Sequence, residues 1–234
     1  MTSLALRSKL AAVAAAALLA ACGGSDHTAL HLGGVAATGL AIEGGTVSVQ
    51  CKSGTGSATT DAAGRYTVRV VDGTGPCLVT VSKGSLTLRS IANPDANGQA
   101  VANVTPITNA IVNAIAAAKG TTVEGLTGTQ APSTAEISAA ATQVVTVIKD
   151  ALIAAGYTDL ANNLSNSGAD LLSDPNFAAA TLSNPNGGSV LDQAMDVLIP
   201  TGETALPQSI TNNIDRVINE QVDPTPTGGT GAGG

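Results

Sequence analysis

Thr46-Val-Ser-Val-Gln-Cys51 places Val47, Val49 and Cys51 on one side of an extended chain and polar residues on the other. Such alternation marks a strand with one buried face, and its β-branched residues suit a pleated surface. The same period recurs on either side. Arg65 to Val70 aligns Tyr66, Val68 and Val70, and Cys77 to Ser82 aligns Cys77, Val79 and Val81. Gly34 to Thr38, Ser57 to Thr60 and Leu86 to Ile91 are weaker candidates, separated by glycine-containing turns. Five to seven short antiparallel strands within residues 33 to 91 predict a small sandwich, each sheet covering the apolar face of the other.

Two segments of this region, Gly39-Leu-Ala-Ile-Glu-Gly-Gly-Thr-Val-Ser-Val49 and Thr60-Asp-Ala-Ala-Gly64-Arg-Tyr66-Thr-Val68, carry a family likeness. They resemble carboxypeptidase regulatory-like domains, which are transthyretin-like sandwiches of the Ig-like kind. The turn chemistry agrees, because Asp61 suits backbone hydrogen bonds and Gly64 supplies a positive φ in a tight hairpin. The resemblance implies an accessory or structural module without catalytic residues.

Cys51 and Cys77 share the face of their valine neighbours, so both thiols are expected to point into the sandwich. In an oxidising compartment a Cys51 to Cys77 disulfide is the expected use of this pair.

After Ala92 the period lengthens to 3.6. Thr105 and Pro106 form a cap and first turn, followed by the stripe Ile107, Ala110, Ile111, Ala114, Ile115 and Ala118, which stops at Gly120. Ser133-Thr-Ala-Glu136 is a capping box, and Ile137, Ala141, Val144, Val145, Ile148, Leu152 and Ala155 line one face before Gly156. Shorter stretches begin at Ser189, ended by Pro200, and at Pro207. Residues 92 to 222 therefore predict a small α-helical bundle, and the chain as a whole an α+β protein with segregated domains. Residues 223 to 234, with alternating Thr and Pro and then glycine, are expected to be disordered.

The charge balance also divides the chain. Lys52, Arg65, Arg69, Lys83 and Arg89 outnumber Glu43, Asp61 and Asp72 in the first block, whereas three basic residues face thirteen acidic ones from Ala92 onward. Nucleic acid is an unsuitable partner for such a chain, because its phosphates require Lys and Arg. With Tyr66, Tyr157 and Phe177 the only aromatic residues, stacking platforms and aromatic hot spots are poorly supplied as well.

At the other end, Arg7 and Lys9 precede a twelve-residue apolar run, Leu10 to Ala21, which closes on Leu19-Ala-Ala-Cys22-Gly23. A bilayer span needs about 20 apolar residues, so the run reads as a removable signal peptide over residues 1 to 21. Leu-Ala-Ala-Cys-Gly resembles the lipobox of bacterial lipoproteins. The resemblance implies that Cys22 becomes an acylated first residue, carrying a diacylglyceryl thioether and a palmitate-type amide chain. Gly23 occupies the place of an inner-membrane retention aspartate, which implies the cell outer membrane. Residues 22 to 32 then form a tether before the sandwich.

Candidates for chemistry are few. No G-x-S-x-G, H-E-x-x-H, Walker or C-x-x-C motif occurs. His27 and His31 are spaced for a helix-borne metal pair, but Gly23, Gly24, Gly33 and Gly34 surround them and no third ligand is near. Asp192 and Asp196 share a helical face as an acid and base would, yet a first helical turn is ordinarily solvated. Asp95-Ala-Asn97-Gly98 and Asn184-Pro-Asn186-Gly187-Gly188 have the look of calcium loops without the closing glutamate, and read better as turns.

These readings predict a lipid-anchored envelope protein acting as a non-enzymatic structural or interaction module. No cofactor, metal or catalytic residue is expected, and the membrane is the expected partner. The rivals are a carboxylate-dependent envelope hydrolase and a carrier of a small apolar ligand at the sandwich-helix junction.

Overall fold

The computed structural model describes residues 29–200 and 203–222. Cys22, His27, the expected signal peptide over residues 1 to 21 and the tail from 223 to 234 lie outside the described residues. Among the described residues, seven strands and six α-helices follow one another: β1 (Ala29–Val35), β2 (Thr46–Ser53), β3 (Thr55–Thr59), β4 (Arg65–Val71), β5 (Thr74–Lys83), β6 (Leu86–Ala92), β7 (Gln99–Val101), α1 (Pro106–Ala118), α2 (Thr134–Ala154), α3 (Thr158–Asn163), α4 (Gly168–Ser173), α5 (Val190–Leu198) and α6 (Gln208–Val222). The fold is thus α+β, and among the described residues every strand precedes every α-helix.

The strands form two sheets, ordered β4-β1-β7 and β3-β2-β5-β6. Their alternating residues meet in one apolar layer. Leu30, Leu32, Tyr66, Val68 and Val70 come from the first sheet, and Val47, Val49, Cys51, Cys77, Val79, Val81 and Leu88 from the second. Cys51 and Cys77 are directly opposed in the β2–β5 ladder and joined by a disulfide inside this layer. The turn between β3 and β4 has the expected chemistry, although it joins strands of different sheets and does not close a hairpin. Asp61 Oδ1 accepts from the backbone N–H groups of Ala63 and Arg65, at 2.9 and 2.8 Å, and Gly64 has φ of 73°.

The expected boundaries change at both ends of this region. Ala29 to Leu32, assigned above to the tether, belong to β1, the central strand of its sheet. His31 therefore sits in the ladder opposite Arg69, exposed on the outer face. Gly33 and Gly34 lie inside this strand. A Cβ on Gly34 would come within 2.1 Å of the Ala102 carbonyl oxygen, so glycine is required by close backbone approach. The sheets are also not purely antiparallel, because β7 pairs with β1 in parallel and comes from the segment assigned to the helices.

The helices pack against the outer side of β5 and β6 rather than standing apart. Leu78 and Ile91 leave the inter-sheet layer and join a second core with Ile107, Ile111, Val144, Ile148, Leu171, Met195 and Ile214. This second duty explains why Cys77, Leu78 and Val79 are all buried in succession on β5. α1 and α2 start where the sequence predicts, α2 with its Ser133–Glu136 capping box and α1 with Thr105 as cap before Pro106, where Thr108 completes a box that the sequence reading did not name. α2 is long and apolar enough to cross a membrane, but its stripe from Ile137 to Leu152 is buried within the protein. The short helices α3 and α4 were not anticipated. Gly168 brings α4 onto α2, since a Cβ there would lie 2.2 Å from the Thr142 nitrogen.

Asn103 ties the two layers together. Its Oδ1 accepts from the Val35 N–H at 3.1 Å and its Nδ2 donates to the Asp174 carbonyl at 2.9 Å. Removing a buried partner leaves the other group unsatisfied. Asn103→Ala is expected to cost about 2 kcal/mol, measured as a lower urea midpoint with an unchanged slope.

Candidate functional site

Short polar turns account for most residues that the sequence singles out. Asp95 Oδ1 accepts from the N–H groups of Asn97 and Gln99, at 2.9 and 2.8 Å, so its carboxylate closes the turn into β7. These bonds hold its pKa below the usual carboxylate value, the Gln99 contact most of all. Asn184 belongs to a turn with Thr181 and packs its side chain over Gly187. Among the described residues, no three His, Cys, Asp or Glu side chains gather as a metal would require.

The carboxylates of α5 are different. Asp192, placed by the sequence on a solvated turn, is fully buried with a relative exposure of 0%. The chain from Ala178 to Ser189 is the cause, because it folds back over the start of α5. The Ser189 N–H donates to the Ala178 carbonyl at 2.8 Å, and the Ala180 N–H donates to Asp192 Oδ2 at 2.9 Å. Gly188 lies directly against the same carboxylate, where a Cβ would come within 2.0 Å of Oδ2. Asp192 Oδ1 and the Ser189 hydroxyl are buried and find no hydrogen-bond partner among the described residues. The sequence Ser189-Val-Leu-Asp192 spells a capping box, but neither side-chain cap bond forms.

Burial without a counter-charge raises the Asp192 pKa to about 6; the Ala180 bond opposes the shift and the charge of Asp196 adds to it. Asp196 lies one turn further along and is also raised, by its own partial burial. Its carboxylate approaches Gly39, a residue with φ of 101° whose Cβ would stand 2.5 Å from Oδ1. Two glycine turns, one before β2 and one before α5, thus cradle two carboxylates on one helical face.

Only Asp196 reaches an open depression. A groove of about 530 Å³ runs between α5 and the turn joining α2 to α3, lined by Tyr157, Asp159, Leu160, Gln193, Asp196 and Val197. A second, of about 430 Å³, lies on the outer face of the three-stranded sheet beside Gly33 and Thr67. Neither lies at the sheet–helix junction where a carrier was anticipated. The pair is poorly arranged for acid–base chemistry, since general catalysis needs both groups within reach of a substrate and Asp192 is sealed. No family model, curated protein or solved structure matches the chain.

Proposed function

We propose that the chain is an exported, lipid-anchored envelope protein that acts as a non-enzymatic structural or interaction module. The observation carrying this reading is Leu19-Ala-Ala-Cys22-Gly23 directly after a basic start and a short apolar run. A thioether-linked diacylglycerol with a further acyl chain gives firm membrane attachment, where a single chain binds only marginally. The remaining cysteines support the same compartment, for a disulfide between Cys51 and Cys77 suits oxidising surroundings.

The position of β1 refines the tether. Ala29 opens the central strand only seven residues after Cys22, a reach of at most about 25 Å for an extended chain. Anchored there, the body is held close to the headgroups rather than on a long stalk. The two facing sheets we read as a transthyretin-like sandwich, a rigid platform on which the acidic helical layer is displayed. The outer membrane is the proposed location, from the glycine after the lipid-bearing cysteine. The sealed Asp192 favours a module over a carboxylate hydrolase, which would present both carboxylates in one cleft.

Fractionation of cells expressing the native chain and Cys22→Ser tests the reading. The native protein is expected in the membrane fraction and Cys22→Ser in the soluble fraction. Equal membrane association of the two would remove the anchor from the account.

A further inference from the structure

We propose that residues 178–189 form a pH-sensitive strap over the first turn of α5, closed while Asp192 is protonated and released as that carboxylate ionises. This device goes beyond the anchoring role and does not depend on it. Backbone hydrogen bonds hold the strap, with little packing behind them. The Ser189 N–H donates to the Ala178 carbonyl at 2.8 Å, the Gln193 side-chain amide to the Gly188 carbonyl at 3.1 Å, and the Ala180 N–H to Asp192 Oδ2 at 2.9 Å. A further bond ties the strap to the connection between β1 and β2, because the Ala180 carbonyl accepts from the Ala41 N–H at 2.8 Å. Its buried side chains are small, Ala179 and Ala180, while Leu182, its largest apolar residue, is 89% exposed. A segment with so little apolar burial opens at lower cost than the body of the protein.

Asp192 sets that cost. The closed strap seals it completely, and its Oδ1 meets no hydrogen-bond partner among the described residues, whereas opening returns the carboxylate to water. Burial raises its pKa from 3.8 to about 6, so the protonated form favours the closed strap and the ionised form the open one. The hold is complete below pH 4 and is lost as pH rises through 6. Asp196, one turn along α5, adds its charge in the same direction. The other charged groups on elements packed here are Glu43 between β1 and β2, Glu136, Lys149 and Asp150 on α2, and Asp159 on α3. None of them bonds to Asp192; Lys149 is engaged with Asn166, and Glu136 with Lys119 at 2.6 Å. The strap itself has no charged residue, so nothing on it neutralises the carboxylate it covers. Release frees both the start of α5 and the Ala41 N–H, loosening the helical layer from the sandwich at this point.

Amide hydrogen exchange of the full chain at pH 4 and pH 7, corrected for the intrinsic exchange rate at each pH, reads the opening directly. The N–H groups of Ala41, Ala180 and Ser189 report the strap, and those of Val79 in β5 and of Val144 and Ile148 in α2 report the body. Strap opening is expected to rise about fiftyfold between the two pH values, with the strap less protected than the body at both. Asp192→Asn is expected to leave strap protection the same at pH 4 and pH 7. Gly188→Ala is a second, steric test, because its methyl group would meet the Asp192 carboxylate. It is expected to raise strap opening about tenfold at pH 4 while Val79 keeps its protection. The proposal is overturned if strap and body amides are equally protected, so that only global unfolding opens the strap. It is equally overturned if native strap protection does not change with pH, if Asp192→Asn keeps the native response, or if Gly188→Ala leaves the strap as closed as in the native chain.

Discussion

Replacing Cys51 and Cys77 together by alanine is expected to lower stability by about 3.5 kcal/mol. The bridge closes a sequence separation of 26 residues. In the loop-entropy account, opening a loop of that size returns about 3.5 kcal/mol of freedom to the unfolded chain. The two side chains also lie in the inter-sheet layer, with exposures of 5% and 0%, and their truncation removes packing beside Val49 and Val79. Chemical denaturation of native and doubly substituted chains measures the difference. A change below about 1 kcal/mol would mean that the β2–β5 ladder already restrains the unfolded ensemble.

A substitution in the helical layer is expected to act in the opposite direction. Asp192→Asn should stabilise the protein at pH 7, because the native chain keeps an ionised carboxylate buried without a cation. With a folded pKa of about 6 against 3.8 unfolded, the native state binds the extra proton between these values. Stability therefore falls as pH rises through that window. The cost reaches about 3 kcal/mol above pH 6 and vanishes below pH 4. Asparagine can still accept from Ala180, but its amide must find an acceptor at the orphan position, so a gain of about 1 to 2 kcal/mol is expected at pH 7. Glu136 works in the reverse sense. Held at about 2 by Lys119 and by the Ser133 cap, it adds stability above its ordinary value that is lost as pH falls toward 2. These two groups together place the greatest stability near pH 4, between their windows. Thermal melts from pH 4 to 8 would show a decline between about pH 4 and 6 that Asp192→Asn abolishes, and a flat native profile would contradict the burial of this charge.

How far the fold was legible depends on where its information resides. β2, β4 and β5 announce themselves through Val47-x-Val49, Tyr66-x-Val68 and Val79-x-Val81, because one face of each strand is buried. α1 and α2 carry stripes and capping boxes, signals internal to each segment. β7 is only Gln99–Val101 and exists through parallel pairing with β1, nearly seventy positions earlier in the chain. α3 and α4 have six residues each, too few to display a periodic face, and depend on tertiary contacts such as Gly168 against Thr142. The start of β1 was hidden for a related reason. The pattern from Gly34 onward marks a strand candidate, but the residues before it carry no alternation that would extend the strand back to Ala29, and Gly34 itself is needed for the approach of the Ala102 backbone.

The candidate site shows the same division. Asp192 and Asp196 were visible as a pair spaced by one helical turn, but their environment was not. Burial of Asp192 comes from the return of Ala178 to Gly188 over α5, and that return is a tertiary event with no local signature. The groove likewise joins Tyr157 and Asp159 to Asp196, residues brought together only by packing of α3 near α5. Cys51 and Cys77 were legible because their side-chain parity and their opposed register agree.

The most direct test of the anchored-module account is intact-mass analysis of the protein purified from membranes, with fragmentation of its N-terminal peptide. The account predicts a chain beginning at Cys22, heavier than its polypeptide by a diacylglyceryl group and an amide-linked acyl chain. A mature chain with an unmodified Cys22, or one that retains residues 1 to 21, would contradict it.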